Sequence, residues 1–309
     1  MKILVGSTGF VGGNILAVEN FDGAYHRADI QTAYGSKPDL LVYAGVPAVK
    51  FIANKNPQAD MDYIYEAQKN ISKIAPKQIV LISTIDVLKN PVFVDEDAVV
   101  NTEGLPAYGL NRYKLELWVR EHYPEALIVR LPGLFGMNLK KNFIYDILHP
   151  IPSMLAADKF IRFAKQEPLL KKHYLLQENG FYQLRQSVNN VAMKELYHSF
   201  QRLKFFATQF TDSRNEYQFY PLQRLWQDIN AALQSGVKLL HLATEPLSAA
   251  EIYSYVEGKE FTNHCINTPM AYDYYTKYAE LLGGSGHYIM KRKDVLYEIK
   301  KYIDEEREK

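Results

Sequence analysis

The first twelve residues place the apolar triplet Ile3-Leu4-Val5 directly before Gly6-Ser7-Thr8-Gly9-Phe10-Val11-Gly12, and apolar residues then recur at helical spacing through Phe10, Val11, Ile15 and Leu16. An unbroken apolar triplet before a glycine turn predicts a strand buried on both faces, as in a parallel sheet covered on both sides. Strand, glycine turn and helix make the first half of a βαβ unit. Such a loop has chemical uses. Gly6 permits the tight turn, Gly9 lets a pyrophosphate approach the backbone, and Gly12 allows close helix packing, while the helix N-terminus offers N–H groups to phosphates. A glycine triplet also occurs in plain strand-to-helix turns. Its position between a strand and a helix favours dinucleotide binding.

The alternation continues. Buried-strand candidates lie at Leu40 to Ala44, Ile79 to Ser83 and Ala126 to Leu131, with helical stretches around residues 58 to 74 and 107 to 122. This pattern predicts an α/β fold, a Rossmann-type doubly wound parallel sheet. After Gly136 the pattern loosens into amphipathic segments rich in Lys, Tyr and Phe, punctuated by Pro150, Pro152 and Pro168 and without clear strand alternation. A smaller, mostly helical substrate lobe is expected there. Strand-like Glu216 to Tyr220, a helix from about Leu222 to Leu233 and a strand at Lys238 to Leu242 are expected to rejoin the first sheet. The expected division is a dinucleotide-binding domain over 1–136, rejoined by about 217–243, and a substrate lobe over 137–216 and 244–309.

Charge and cysteine content narrow the function classes. Lys+Arg 36 against Asp+Glu 35 leaves a net charge of +1, which gives no overall field to hold a nucleic acid. The lone Cys265 excludes an internal disulfide and thiolate zinc clusters, so a cytoplasmic setting is expected. No apolar run approaches the roughly 20 residues that span a bilayer, and the glycine loop cuts the N-terminal apolar run before a signal-peptide core can form. The histidines include no helical pair with a nearby Glu, so no metal is expected. Ser7 does not sit in a hydrolase elbow. Tyrosines outnumber phenylalanines, 23 to 15, which reads chiefly as drift; Tyr272-Asp273-Tyr274-Tyr275 can be ordinary packing or a substrate or partner surface, and Phe205-Phe206 reads as core.

Two further segments carry chemistry. The second strand candidate, Gly23-Ala24-Tyr25, is followed by His26 and Arg27, with no acidic residue at its tip to take a ribose hydroxyl. Arg27 can pair with a 2′-phosphate or simply be solvated, which leaves NAD and NADP both open with a lean to NADP. Tyr108 and Arg112, in Ala107-Tyr108-Gly109-Leu110-Asn111-Arg112, lie one helical turn apart on a shared face. A fixed positive charge beside a phenol favours the phenolate, so a lowered Tyr108 pKa and an acid/base usable near neutral pH are expected. The strand Val80-Leu81-Ile82-Ser83-Thr84 ends in a hydroxyl that can join them.

With these residues in place, the chain resembles the extended short-chain dehydrogenase/reductase superfamily, in particular its NAD-dependent epimerase/dehydratase group acting on nucleotide sugars. The resemblance runs over most of the chain. Gly6 to Gly12 is similar to the family's glycine loop, Asp39 to Gly45 to its strand ending in a small-residue floor, Ser83 to Val87 to the strand end supplying a catalytic hydroxyl, Tyr108 to Glu116 to its YxxxK helix, and Ile128 to Gly136 to the strand and loop against the nicotinamide. Tyr217 to Leu233 and Leu239 to Glu245 match more loosely. The resemblance implies NAD or NADP held by Gly6, Thr8, Gly9, Phe10, Val11, Gly12, Arg27, Ala44, Gly45, Val46, Tyr108, Arg112 and Pro132. It implies catalysis by Thr84, Tyr108 and Arg112, substrate contacts from Thr84 and Asn142, and a diphosphate near Lys140-Lys141. A homodimer is the family expectation. The implied activity is hydride transfer on a nucleotide-linked sugar with Tyr108 as acid/base; an epimerase of the same family and a non-catalytic dinucleotide-binding regulator are the alternatives. Two residues depart from the pattern. Arg112 stands where the family has Lys and cannot release a proton. Ile85-Asp86 replaces the Asp-Glu pair of the sugar dehydratases, which disfavours dehydration and leaves Asp86 as a salt-bridge residue or a proton-transfer group.

Overall fold

A computed structural model describes all 309 residues. The apolar triplet forms β1 (Lys2–Val5), with Ile3, Leu4 and Val5 buried. The chain continues through α1 (Phe10–Leu16), β2 (Gly23–Tyr25), β3 (Leu40–Tyr43), α2 (Lys50–Lys55), α3 (Pro57–Ile74), β4 (Gln78–Thr84), α4 (Ala107–His122), β5 (Leu127–Leu131) and β6 (Gly133–Phe135). Helix α3 shows how the sequence directs an element. Asn56 caps it by accepting from the Ala59 N–H at 3.2 Å, Pro57 occupies the first helical position, and Ala75 ends it at φ 55°. Its buried Ile64, Ala67, Ile71 and Ile74 recur every three or four residues and pack with Ile3, Leu41, Ile79 and Leu115 in one core. Each fully buried Ile there contributes roughly 1.5–3 kcal/mol.

Two compact units result. The first comprises Met1–Leu139, Glu216–Leu247 and Met270–Ile299. The second comprises Lys140–Asn215, Ser248–Pro269 and Lys300–Lys309. Within the second lie α5 (Phe143–Leu148), β7 (Met154–Ala156), α6 (Ala157–Gln166), α7 (Leu170–His173), β8 (Tyr174–Leu176), β9 (Phe181–Leu184), α8 (Asn190–Arg202) and a later helix, Ala249–Glu257. The first regains the chain at β10 (Glu216–Tyr217), β11 (Phe219–Pro221), α9 (Leu225–Gln234) and β12 (Leu239–His241).

The central sheet has six strands in the order β12-β5-β4-β3-β1-β2, all parallel. The expected return is met by β12 on β5, while β11 pairs with β6 outside the main sheet. Because the chain passes from β1 out to β2 and then crosses to β3, strand order reverses between β1 and β3, and ligands of open α/β sheets bind at the carboxyl ends beside such a reversal.

The second unit is mostly helical, as expected, and also carries a small antiparallel sheet of β7, β9 and β8, whose β8–β9 turn is closed at Asn179-Gly180 by Gly180 N–H donating to the Gln177 carbonyl. The strands are only three or four residues long and too short to show alternation. One expectation needs correction, the assignment of 244–309. Residues Met270–Ile299 fall in the first unit because their backbone pairs there, Tyr275 N–H with the Val94 carbonyl and Ile289 N–H with the Ala243 carbonyl, each at 2.8 Å.

Candidate active site

The glycine loop joins β1 to α1 at the strand reversal. Gly6 has φ 96°, and a Cβ there would stand 2.4 Å from the Ala44 carbonyl oxygen; a Cβ on Gly12 would stand 2.2 Å from that of Gly6. Both glycines are therefore required for the loop to close on the Ala44-Gly45 floor after β3. At Gly9 a Cβ would meet only the Gly6 carbonyl, and no side chain caps α1 there, so the outer side of the loop is open to a ligand backbone. Thr8 is exposed, Phe10 and Val11 are half-buried on the first turn, and Val46 packs against the core. The loop is thus shaped as the sequence suggests and suits a dinucleotide's phosphates. Arg27, just after β2, is exposed, with its guanidinium 5.1 Å from the Tyr63 ring centroid and Nη2 3.5 Å from Glu66. Pro132 links β5 to β6.

An unexpected clamp holds the far side of α1. Asn14 is buried; its Nδ2 donates to the carbonyls of Phe10 at 2.8 Å and Met137 at 2.9 Å, and its Oδ1 accepts from Met137 N–H at 3.0 Å. The sequence offered one signal for it, a lone polar residue within the apolar stripe of α1.

Two strands away, β4 ends at Thr84, and α4 brings Tyr108 and Arg112 beside it. Gly109 makes this approach possible, because a Cβ there would lie 2.0 Å from the Asp86 carbonyl oxygen. Asn54 of α2 caps α4 by accepting from Tyr108 N–H at 2.9 Å, the preceding Pro106 having no side chain to do so. The Arg112 guanidinium lies 4.0 Å from the Tyr108 ring centroid. Its Nη1 donates to Asp60 Oδ2 at 2.6 Å and to the Tyr108 carbonyl at 3.1 Å, and Nη2 to the Pro47 carbonyl at 2.5 Å. Asp60 and Arg112 are both buried. Asn111 adds a bond to Asp60 at 2.9 Å.

This geometry corrects the expected phenol ionisation. Burial raises the Tyr108 pKa above the ordinary phenol value and outweighs the pull of Arg112 and of the polar contact with Thr84. The nearby Asp86 carboxylate adds to the rise. Tyr108 is therefore a neutral phenol at neutral pH, able to donate a proton. Asp86 forms the expected salt bridge, to Lys50 at 2.8 Å, and also accepts from Tyr272 Oη at 3.0 Å. Tyr272 thus joins the Thr84–Tyr108 surroundings, whereas Tyr274 is core, wholly buried.

The second unit holds the remaining predicted residues. Asn142 caps α5, accepting from Tyr145 N–H at 3.1 Å, and does so at φ 114°, a strained backbone for any residue but glycine. Burial lowers the pKa of Lys141. Phe205 and Phe206 pack on this unit's core, as expected.

No protein-family model and no curated protein sequence matches the chain. Solved structures do. A dTDP-4-dehydrorhamnose reductase from Yersinia enterocolitica aligns at 14% identity and TM-score 0.63, covering 98% of each chain. The chain has the fold of nucleotide-sugar reductases and epimerases. The Bacillus anthracis dTDP-4-dehydrorhamnose reductase, solved in complex with NADP, aligns at 15% identity and TM-score 0.61 over 98% of this chain and 97% of that one. A UDP-glucose 4-epimerase from Thermotoga maritima, solved with UDP-glucose, gives 12% identity and TM-score 0.61 over 100% and 99%. The Rossmann-type fold that the sequence implied is the one these enzymes have. No helix is long and apolar enough to cross a membrane.

Proposed function

We propose that the chain is an NAD(P)-dependent oxidoreductase that moves a hydride between the nicotinamide and a nucleotide-linked sugar, with Tyr108 as general acid/base. The observation that carries this reading is the placing of the Tyr108 phenol beside Thr84 and under Arg112, on the carboxyl edge of the sheet that also holds the glycine loop. A neutral phenol is matched to the reductive direction, in which Tyr108 gives its proton to a carbonyl oxygen as hydride reaches the carbon. Thr84 holds the same oxygen by a hydrogen bond. In reverse, the phenol must first ionise, at a cost set by its burial.

The residues suit the cofactor. Gly6, Thr8, Gly9, Phe10, Val11 and Gly12 would hold the pyrophosphate, Ala44, Gly45 and Val46 would floor the ribose, Pro132 would border the nicotinamide, and Arg112 would meet ribose hydroxyls from its place against the Pro47 carbonyl. The bound cofactor supplies or accepts the hydride. Arg27 favours NADP, with Glu66 releasing it to a 2′-phosphate. The strained backbone at Asn142 supports a role for that residue beyond capping.

Mixing the purified chain with NADPH or NADH and a panel of UDP-, GDP-, CDP- and dTDP-linked keto-sugars tests it. Loss of nicotinamide absorbance with one member is expected. Inversion of a sugar hydroxyl with no net cofactor consumption would identify the epimerase alternative instead. Tight cofactor binding with neither outcome would leave the chain a dinucleotide-binding regulator.

A further inference from the structure

Asp86 takes no part in the proton and hydride steps above, yet three separate segments fix it. Its backbone N–H donates to Thr84 Oγ1 at 3.2 Å, and its carbonyl faces Gly109. Lys50 Nζ from α2 and Tyr272 Oη from the returning chain both donate to one carboxylate oxygen, Oδ1, at 2.8 and 3.0 Å. Burial, then Asp86 itself, keeps the Tyr272 phenol protonated, so Tyr272 is a lasting donor to that carboxylate. The other oxygen, Oδ2, takes no hydrogen bond within the chain. Thr84 and Tyr108 are almost buried, whereas the Asp86 side chain is 21% and that of Lys50 48% exposed. A partly exposed carboxylate with one oxygen fixed by two donors and the other without a hydrogen bond thus stands two residues after Thr84, close enough to Tyr108 to act on its phenol.

We propose that Asp86 is a specificity-determining residue: its free oxygen accepts a hydrogen bond from a sugar hydroxyl on a carbon neighbouring the reacting one, and Lys50 and Tyr272 aim it. The ligand class is a nucleotide sugar that keeps a hydroxyl beside the carbon at which hydride moves. This inference rests on the oxidoreductase reading and names a determinant of its substrate. Lys50 and Tyr272 are positioning residues, since they act through Asp86. A hydrogen bond to an ionised acceptor discriminates against a ligand lacking the donor by about ten- to a hundredfold.

The test is calorimetric titration of the cofactor-loaded chain with UDP-glucose, dTDP-glucose and their analogues that each lack one sugar hydroxyl. One analogue should bind about ten- to a hundredfold more weakly than its parent. In Asp86→Ala that penalty should shrink to less than about threefold while cofactor affinity, the check on folding, is unchanged. Tyr272→Phe should reduce the penalty partly, and Tyr108→Phe should preserve it. A penalty unaltered in Asp86→Ala, or no penalised analogue, overturns the proposal. Hydride transfer accompanied by such indifference to Asp86 would refute this inference alone; selective binding without hydride transfer would refute the oxidoreductase reading and leave the selectivity standing. Failure of both glucose nucleotides to bind the loaded chain overturns this inference, while the oxidoreductase reading is decided by the keto-sugar panel.

Discussion

Tyr108 and Arg112 stack at 4.0 Å, but they answer to different partners, and substitutions should separate them. Tyr108→Phe removes the proton donor and leaves the ring under the guanidinium. Turnover should fall about a hundred- to ten-thousandfold with cofactor affinity retained, read by nicotinamide absorbance and by direct titration. Arg112→Met leaves Asp60 buried and unpaired, which costs about 3–5 kcal/mol, so the denaturation midpoint should drop well before any kinetic comparison is made. Arg112→Lys tests whether the departure from the family lysine is a defect. One ammonium cannot reproduce two guanidinium nitrogens that reach Asp60 and the Pro47 carbonyl at once, so we expect lower stability and slower turnover; faster turnover would mean that the arginine impairs the site. The Tyr108–Arg112 spacing was legible in the sequence because it is local to one helix. Asp60 was not, since it pairs across 52 residues of sequence, and neither was the burial that raises the Tyr108 phenol pKa where the local spacing points to a lowered one.

Elements were legible where periodicity was long or glycines were forced. The expected stretches 58–74 and 107–122 correspond to α3 and α4 within one residue, and the glycine loop lies between β1 and α1. The β7-β9-β8 sheet escaped notice because its strands are too short to alternate. Met270–Ile299 was misassigned because isolated backbone bonds, with no regular pattern, tie it to the first unit. Gly109 is the strongest test at this scale. Nothing in its sequence context marks it, yet Gly109→Ala would place a methyl 2.0 Å from a backbone oxygen of the Asp86 turn. Helix α4 must then retreat. A loss of about 1–3 kcal/mol in chemical denaturation, with turnover reduced far more than cofactor affinity, is the expected outcome; unchanged turnover would mean that the contact between α4 and the turn does not position Tyr108.

Across the whole molecule, folding should depend on pH through a buried network remote in sequence. Arg130 donates to Glu116 at 2.6 Å and to His241 Nε2 at 3.3 Å, and Ser83 donates to Glu116 at 2.5 Å. Since Arg130 can only donate, His241 Nε2 accepts and its Nδ1–H donates to the Tyr275 carbonyl. Burial, assisted by Arg130, depresses the His241 pKa from 6.5 to about 3. The unfolded chain then binds a proton that the folded chain refuses, so this contribution is complete above about pH 6.5 and is lost as pH falls toward 3, with a slope of up to ~1.4 kcal/mol per pH unit. Glu96, raised by burial, works in the opposite direction. His241→Gln should flatten the pH dependence of the urea midpoint over that window, and equal slopes for both proteins would refute the assignment. Hydride transfer is read most plainly by incubating the chain with reduced nicotinamide cofactor deuterated at the transferable position and the keto-sugar panel, followed by mass analysis of the sugar. One deuterium on the product carbon is expected, strongly reduced in Tyr108→Phe. Tightly bound cofactor with no label in any sugar, and no difference between the two proteins, would exclude hydride transfer with Tyr108 as acid/base.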